Sequence, residues 1–577
     1  MDVALREPDD RVAARPPAQA PAVAADVTLQ SPLIDTDRPV LISGIQAILR
    51  IVLDQARADR AAGLATAGLI SGYRGSPLGG LDRTLWQEAA LLAAHDIRFE
   101  PGLNEDLAAT MLSGSQQLDL FPGKRVRGVF GLWYGKGPGV DRSADALRCA
   151  NMLGTAKLGG VLAVAGDDHA AHSSTFPHQT EPVFRALLMP LLAPADAGEI
   201  VTLGRAGIAL SRFSGLFVAL KTTAETAEQT RRVILPAPLP FARPDLALPR
   251  HGLNLDAHLA WPAQRAELER RVVEERLPAA RAWAQANALD RDVAGTPEAP
   301  VGIVTVGKAH HDLMHALRLM GLDGDPRIAI RKVALAWPLE TEGMRRFAAG
   351  RRALLVVEEK ASFVEAQLRE ALYNMPADRR PAIAGKTDPA GLPLVSEVGE
   401  LAPAPLAAAL ARFLRGQGVP VADPPAPPAP EPVAGLLPRA PIFCAGCPHN
   451  SSTRLPEGSH AMAGIGCHIM ALETTPATRG FCQMGGEGVP WVGLAPFTTV
   501  PHLFVNMGDG TWQHSGILAV RQALAAGTRV TFKILVNDAV AMTGGQPAEG
   551  APTAAGIARQ LAAEGVGRIA LVADEAS

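Results

Sequence analysis

The chain has 577 residues and a formal net charge of -3 at pH 7; 47% of its residues are hydrophobic and 20% are charged. One hydrophobic core rarely serves a chain of this length, so we expect about three domains. The charge excludes the basic surface typical of nucleic-acid binding. There is no run of 18 apolar residues, so no membrane span is expected. The N-terminus, MDVALREPDD, is acidic where a signal peptide would be basic, so a cytoplasmic location is expected.

The first part of the chain has the pattern of an α/β domain. Residues 1–30 are rich in Ala, Pro and charge and are expected to form a disordered tail. Ser43 fits a helix N-cap, because apolar residues follow it at helical spacing. Short apolar runs at 66–71, 127–133 and 160–165 then alternate with helical stretches. This alternation predicts a parallel sheet in a domain at about 31–245.

A second α/β block follows a connecting segment. Residues 246–296 are rich in Arg, Glu and Ala and are predicted to form a helical connection. The second domain is predicted at 297–415, with strands at 301–306, 327–334 and 353–358 and a helix at 311–320. Residues 416–440 are Pro-rich and predict a stiff, extended linker.

The third block, 441–577, again alternates strands and helices. Strands are predicted at 503–507, 530–536 and 569–573, and helices at 517–526 and 554–563. No helix follows the last predicted strand, so we expect this domain to be incomplete. The fold class predicted for the whole chain is α/β, with three parallel-sheet domains.

The sharpest motif lies in the third block. Gly508-Asp509-Gly510 follows a predicted strand, and Asn537 follows the next one after 26 intervening residues. The ends of neighbouring parallel strands would bring Asp509 and Asn537 to one Mg²⁺ ion, and the glycines would let a diphosphate approach the backbone. This arrangement, with the downstream segment Thr543-Gly544-Gly545-Gln546, matches the thiamine-diphosphate fingerprint. The alternative is a surface Asp-Gly turn and an unrelated Asn cap.

Several segments together resemble the indolepyruvate ferredoxin oxidoreductase family, in its long bacterial form, over roughly residues 40–577. They are GYRGSPLGG (72–80), NEDLAAT (104–110), FGLWYGKGPGVDRSADALRCAN (130–151), GDDHAAHSST (166–175), GDGTWQHSGILAVRQALAAG (508–527) and NDAVAMTGGQP (537–547). The resemblance implies a pyrimidine-binding first domain, a middle domain like the C-terminal domain of transketolase, and a diphosphate-binding third domain. It also implies that the family's further C-terminal domain is absent here.

The resemblance implies a set of cofactor ligands. Asp509, the Asn537 side chain and the Ala539 carbonyl would bind Mg²⁺, and residues 543–546 would line the diphosphate. A carboxylate must also contact the aminopyrimidine ring, and Glu105 fits because it opens a helix in an E-x-x-A-A pattern. Asp106 is the alternative, and both acids also simply favour a helix N-terminus.

Arg74 could bind the substrate carboxylate, or it could form a salt bridge that holds its turn. His169, His172 and His178 are too loosely spaced to predict a metal site, and a polar loop near the substrate is the preferred interpretation. Cys149 lies in a helical stretch and is predicted to be a core residue.

Four cysteines cluster near the third block. Cys444, Cys447 and Cys467 resemble the family's ligands for a [4Fe–4S] cluster, which would accept single electrons after decarboxylation. The family's fourth ligand would fall outside this chain, and Cys482 is a possible substitute. A zinc ribbon is the alternative, although there is no second CxxC pair.

The function implied is oxidative decarboxylation of an aryl 2-oxoacid of the indolepyruvate type to an acyl-CoA, with ferredoxin as electron acceptor. The expected partners are coenzyme A, ferredoxin, a second copy in a homodimer that shares the site, and the missing C-terminal part. Two alternatives remain open. One is a non-oxidative thiamine-dependent decarboxylase, and the other is a truncated, catalytically silent partner chain.

Overall fold

A computed structural model describes residues 27–238, 240–259, 261–424, 442–537, 539–550 and 553–573. The predicted tail up to residue 26 and the predicted linker from residue 425 to residue 440 lie outside these ranges. The strands, in chain order, are β1 (Pro39–Ser43), β2 (Thr66–Gly72), β3 (Ile97–Phe99), β4 (Gly128–Lys136), β5 (Val161–Asp167), β6 (Leu191–Leu192), β7 (Val218–Thr223), β8 (Thr230–Ile234), β9 (Arg291–Ala294), β10 (Val301–Val306), β11 (Ile328–Val333), β12 (Leu335–Trp337), β13 (Ala353–Val357), β14 (Ala382–Ala384), β15 (Ala461–Met462), β16 (Leu503–Gly508) and β17 (Val530–Leu535).

The first domain is built on a seven-stranded sheet in the order β12-β6-β7-β5-β4-β2-β3. All its pairs are parallel except β12–β6. All seven residues of β5 are buried, because helices cover both faces of the sheet. The helices of this domain are Ser31–Ile34, Gly44–Ala61, Gly79–Gln87, Ala89–Ala94, Glu105–Ser115, Gly137–Arg142, Ala144–Leu153, Glu181–Ala186, Ala197–Ser214 and Ala224–Glu228. The N-cap prediction for Ser43 is confirmed, since its side chain accepts a hydrogen bond from the Gln46 backbone N–H.

The middle domain contains a five-stranded sheet in the order β14-β13-β10-β11-β9. The strands predicted at 301–306, 327–334 and 353–358 correspond to β10, β11 and β13. The helices are Gln264–Arg270, Leu277–Ala286, Ala309–Leu319, Thr341–Ala348, Val364–Leu372 and Pro403–Gly416.

The prediction of a helical connection over 246–296 is only partly right. Helix occupies Gln264–Arg270 and Leu277–Ala286, joined by a π-helical stretch. The described residues 246–259 and 261–263 are irregular, and they include Pro249 and Pro262, which disfavour helix. Residues 291–294 form β9, which pairs antiparallel with β11 and is fixed there by an ion pair between Asp292 and Arg331. β9 therefore belongs to the middle domain.

The boundary between the first and middle domains is also less sharp than predicted. β12 comes from the predicted middle domain but pairs with β6 at the edge of the first sheet. One cluster of buried side chains extends from the first domain into the middle domain, and it includes Val164, Leu335 and Phe347. The two domains therefore share a core.

The third domain has a three-stranded parallel sheet in the order β15-β16-β17. Its helices are His449–Ser452, Ala471–Thr474, Val489–Leu494, Asp509–Thr511, Ile517–Ala525 and Ala554–Ala563. The strand predicted at 569–573 is wrong. These residues form no strand and pair with no described neighbour, and Val572 is 93% exposed, so the apolar run lacks the partner that a strand requires.

No helix in the described ranges is both long and apolar enough to cross a membrane.

The prediction that Cys149 is a core residue is wrong. It lies on the exposed face of the helix Ala144–Leu153, whose buried residues are Leu147, Ala150 and Asn151, and it is not a core residue.

Candidate active site between the first and third domains

The predicted metal ligands meet at one edge of the third sheet. β16 and β17 run parallel with Gly508 opposite Leu535, so Asp509 and Asn537 follow strands that end side by side. The Asp509 carboxylate is buried and accepts hydrogen bonds from the backbone N–H of Gly510 at 2.8 Å and of Asn537 at 2.9 Å. The Ala539 N–H lies 3.3 Å from the Asn537 side-chain oxygen. The structure thus brings together the three residues proposed to hold Mg²⁺.

Buried polar groups lie below this edge without protein partners in the described part of the chain. Neither side-chain polar atom of Asn506 has a hydrogen-bond partner within the described residues, nor does the Nε2 atom of His468. Both side chains are at most 2% exposed. His468 lies beside Gly508, where an added Cβ would be 3.6 Å from its ring. Buried polar groups normally have partners, so groups of this kind are typical of sites that hold a ligand or ordered water.

The Thr543–Gln546 segment contacts the first domain. The Gln546 side chain donates a hydrogen bond to the Gly79 carbonyl at 3.0 Å, and the Thr543 hydroxyl lies 3.3 Å from the Gln546 side-chain oxygen. Gly544 and Gly545 have φ values of +120° and +73°, which glycine adopts at little cost. These residues therefore connect the third domain to the turn at 72–80.

Glu105 faces the third domain. It is the first residue of the helix Glu105–Ser115, and the Asn104 side chain caps that helix by accepting from the Leu107 N–H. The Glu105 carboxylate is 2.8 Å from Nε2 of His514 and is almost fully buried. Burial alone would raise the pKa of Glu105, but the hydrogen bond and charge of His514 outweigh burial and place the pKa below its usual value.

Asp106, the alternative to Glu105, points elsewhere. Its carboxylate is partly exposed, lies 3.8 Å from Arg142 and accepts a hydrogen bond from the Leu107 N–H. Glu105 also packs closely against Gly139, where a Cβ would come within 2.7 Å of the Glu105 Cγ. Of the two acids, only Glu105 reaches the boundary with the third domain.

His514 and Tyr73 are site residues that the sequence interpretation missed. The His514 ring contacts the Tyr73 ring edge-on at 4.7 Å, and its Nδ1 is 2.7 Å from the Ser515 hydroxyl. The Asn104 side chain donates to the His514 carbonyl at 2.9 Å. A signal was present, because His514 is five residues after Asp509 within the segment that carried the family resemblance.

Arg74 is fully engaged with protein groups. Its guanidinium forms ion pairs with Asp82 and Glu549, and it donates to the Pro547 carbonyl at 2.7 Å. Arg74 is 2% exposed. The contact with Asp82 corresponds to the alternative in which Arg74 stabilises its turn. The contacts with Pro547 and Glu549 link the first domain to the third.

A small cavity separates the two domains. It is too narrow to admit a water molecule and is lined by Tyr73, Arg74, Leu103, Gly510, Gln513, His514, Val540, Ala548 and Glu549. Ligand pockets usually measure roughly 300–1,000 Å³. In this structure the two domains therefore meet here without a pocket of that size.

Three of the clustered cysteines are near one another. Burial raises the pKa of the Cys467 thiol, and the charges of Cys447 and Cys444 add to this effect. Burial, with the charge of Glu487, raises the pKa of the Cys482 thiol to about 12. No group of three or more His, Cys, Asp or Glu side chains in the described part of the chain is arranged to hold a metal ion. The described residues therefore do not present a complete ligand set for an iron–sulfur cluster.

The three histidines of the loop after β5 have different partners. His169 lies 3.6 Å from Glu359, His172 lies 3.4 Å from Glu400, and both of these acids belong to the middle domain. His178 lies 2.8 Å from Asp141. The loop therefore connects the first domain to the middle domain.

Comparison with known proteins gives consistent matches. The family model for an indolepyruvate oxidoreductase domain matches residues 291–423, which begin at β9 and include the rest of the middle domain. An indolepyruvate oxidoreductase subunit IorA from Methanothermobacter marburgensis is 25% identical over 87% of this chain and 77% of its own length. The subunit of the same name from Pyrococcus abyssi is 24% identical over 89% of this chain and 77% of its own length.

Two solved structures resemble the fold distantly. A 2-oxoglutarate:ferredoxin oxidoreductase from Magnetococcus marinus has a TM-score of 0.43 and 15% identity over 67% of this chain and 65% of that chain. A split-gene transketolase has a TM-score of 0.40 and 13% identity over 65% of this chain and 98% of that chain. The chain is thus similar to the indolepyruvate oxidoreductase family in its middle domain, and to the curated subunits of that name over most of its length.

Proposed function

We propose that this chain carries out thiamine-diphosphate-dependent oxidative decarboxylation of a 2-oxoacid. The hydrogen bond between Glu105 and His514 is the observation that carries the proposal. It joins a buried carboxylate of the first domain to the segment that begins at Asp509 in the third. A thiamine cofactor needs a carboxylate at one end and a metal–diphosphate site at the other, and these residues supply both.

The cofactor would be held from both domains. Asp509, the Asn537 side chain and the Ala539 carbonyl would bind Mg²⁺, with Gly508, Gly510 and the segment 543–546 beside the diphosphate. Bound thiamine diphosphate supplies a carbon nucleophile for the keto group and an electron sink for loss of CO₂.

Glu105 can hold or release a proton at its carboxylate within this site. The ionised carboxylate only accepts hydrogen bonds, so His514 donates to it through Nε2. Both side chains are at most 7% exposed, so bulk water is excluded from the pair. Proton transfer at Glu105 is therefore confined to His514 and to groups bound beside it.

The substrate and the two acceptors are proposed from the names of the similar proteins. We propose an aryl 2-oxoacid of the indolepyruvate type as substrate, coenzyme A as acyl acceptor and ferredoxin as electron acceptor. Cys444, Cys447 and Cys467 would hold a [4Fe–4S] cluster with a fourth ligand from outside this chain. The matched relatives are named as subunits, and we propose that this chain likewise works with a partner subunit and as a homodimer.

The test compares Glu105→Gln with Asp106→Asn, its neighbour on the same helix turn. Glu105→Gln should keep cofactor affinity but slow exchange of the thiazolium C2 proton by about 10²- to 10⁴-fold, measured by NMR in D₂O. Asp106→Asn should exchange like the unaltered protein. Normal exchange in Glu105→Gln would show that another residue activates the cofactor.

A second measurement separates oxidative from non-oxidative chemistry. The chain, with its partner subunit, is supplied with phenylpyruvate, coenzyme A and oxidised ferredoxin. Acyl-CoA and reduced ferredoxin are expected, in proportion to the iron content of the preparation. Release of the aldehyde without reduction of ferredoxin would identify a non-oxidative decarboxylase.

A further inference from the structure

Lys136 lies at the edge of the first sheet beside the proposed site. It is the last residue of β4 and follows Tyr134 by two residues, and Tyr134 pairs with Gly72 at the end of β2. Its stem lies over Gly75, where an added Cβ would be 2.7 Å from Lys136 Cδ. The ammonium interacts electrostatically with Asp168 and with Glu105, the proposed activating residue. Lys136 thus extends over the turn at 72–80, with its ammonium in electrostatic range of Asp168 and Glu105.

Lys136 has no fixed partner within the described residues, in contrast to Arg74. The Arg74 guanidinium is occupied by Asp82, Glu549 and the Pro547 carbonyl. Lys136 is only partly exposed, yet it forms no hydrogen bond or ion pair with any residue that the structure describes. Arg74, for which the sequence left open a role in binding the substrate carboxylate, is therefore occupied by protein groups, and, in the described ranges, the neighbouring cation Lys136 is not.

An ammonium in this position is costly for the free protein. Burial lowers the pKa of Lys136, and the charges of Asp168 and Glu105 act in the opposite direction and favour the ammonium form. Desolvating a cation without a hydrogen-bonded partner disfavours folding. Charged groups kept in such surroundings are often found in binding sites.

We propose that the Lys136 ammonium binds the carboxylate of the 2-oxoacid substrate. This assignment rests on the function proposed above. Lys136 and Glu105 lie on neighbouring elements, since the helix Gly137–Arg142 begins directly after Lys136 and Gly139 of that helix packs against Glu105. A carboxylate held by Lys136 would place the adjoining keto carbon beside the cofactor that Glu105 activates. Lys136 is therefore a specificity residue for 2-oxoacids.

The test measures the preference for a carboxylate over a neutral group of the same shape. The chain is loaded with thiamine diphosphate and Mg²⁺ and titrated by calorimetry with 3-phenylpropionate and with 3-phenylpropionamide, neither of which can react. The unaltered protein should prefer the carboxylate. Lys136→Met should weaken carboxylate binding at least tenfold and leave amide binding unchanged, and Lys136→Arg should keep most of the preference.

Two controls distinguish binding from structure. Lys124→Met removes an exposed lysine paired with Asp119 and should leave both affinities unchanged. Lys136→Met should melt at the same temperature as the unaltered protein or higher, because it removes an unpaired, half-buried charge. A purely structural role for Lys136 would instead lower the melting temperature and leave the carboxylate preference intact.

The outcomes separate this inference from the proposed function. Cofactor affinity is measured first, and a chain that binds no thiamine diphosphate would overturn both proposals. If the cofactor binds but the unaltered protein shows no carboxylate preference, or Lys136→Met retains it, only the assignment of Lys136 is overturned.

Discussion

The first and third domains contribute to the same site in different ways. In the first domain, Glu105 and Arg74 already have hydrogen-bonded partners. In the third domain, His468 and Asn506 are buried with polar atoms that lack a partner among the described residues. Buried groups without partners destabilise the domain that contains them. The comparison shows that Glu105 and Arg74 of the first domain are held without a ligand, whereas His468 and Asn506 of the third domain are not fully paired by the described residues.

The two domains also differ in the size of their hydrophobic cores. The first domain shares one large cluster of buried side chains with the middle domain. The third domain has two separate small clusters, one around Met507 and Trp512 and the other around Trp491 and Val505. Less burial of apolar surface means less stabilisation. The third domain should therefore be the less stable of the two and the more responsive to its ligand.

Replacing Asp509 should have the largest effect on cofactor binding by the third domain. Asp509→Ala removes the only carboxylate among the proposed Mg²⁺ ligands, so affinity for thiamine diphosphate in the presence of Mg²⁺ should fall at least 100-fold by calorimetry. Glu473→Ala, at an exposed position of the same domain, is the matched control and should bind normally. Unchanged affinity in Asp509→Ala would rule out the metal assignment.

The pH dependence of the third domain should show two opposing effects. Burial raises the pKa of Glu487 to about 7, above its unfolded value, so its stabilisation is present below about pH 4.5 and is lost up to about pH 7. Burial, with the charge of His449, lowers the pKa of His468 to about 4, so its stabilisation is present above about pH 6.5 and is lost towards pH 4. Each contribution is about 3 kcal/mol, and between pH 4.5 and 6.5 they offset one another.

His468→Gln should unmask the Glu487 contribution. Hydrogen exchange of third-domain peptides should then slow as the pH falls from 7 to 5, after correction for the intrinsic rate, by up to about 3 kcal/mol of opening free energy. The unaltered protein should change much less. His460→Gln, at an exposed position, is the control. A flat profile in His468→Gln would contradict the account of these two buried groups.

Local patterns were enough to predict most strands and the ligand motif. The helix after Ser43, the strands of the first sheet and the meeting of Asp509 with Asn537 each follow from residues close in sequence. The strand predicted at 569–573 failed because apolar residues form a strand only when a neighbour pairs with them, and no described strand does. Sequence periodicity does not contain that information.

Contacts between distant segments could not be predicted in this way. The sequence left open whether Arg74 binds substrate or holds its turn, and its partner Glu549 lies 475 residues further along the chain. The contact between Glu105 and His514 spans 409 residues. Likewise, the placement of β12 in the first sheet depends on how two domains pack. The residue types in the sequence identified the candidate site residues. Which of these residues contact one another could be seen only in the folded chain.

Cofactor binding should stabilise the third domain selectively. At a free cofactor concentration 100 times the dissociation constant, a ligand bound only by the folded state adds about 2.7 kcal/mol. Thiamine diphosphate with Mg²⁺ should therefore slow hydrogen exchange in β16, β17 and the helix Ile517–Ala525, and leave β4 and β5 nearly unchanged. Exchange in residues 539–550 should slow as well, because this segment follows Asn537 and includes the residues proposed to line the diphosphate. Equal protection of both domains would mean that the first domain also depends on the ligand.

The smallest predicted difference compares two matched core valines. Val164 on β5 and Val505 on β16 are both fully buried at the centre of a parallel sheet. Val164→Ala should cost about 2–3 kcal/mol, because the dense surroundings of Val164 cannot collapse into the space left behind. Val505→Ala should cost about 1 kcal/mol, because its neighbours Met462 and Phe532 are only partly buried and can move inward.

For each variant, hydrogen exchange measured separately in the two domains gives the loss in free energy of unfolding from one protein preparation. Val398→Ala, at a position that is 85% exposed, should change stability by less than about 0.5 kcal/mol and calibrates the measurement. Equal costs at Val164 and Val505 would mean that the two cores are equally rigid. The weaker stability of the third domain would then arise only from its unpaired polar groups, and addition of the cofactor should remove the difference between the domains.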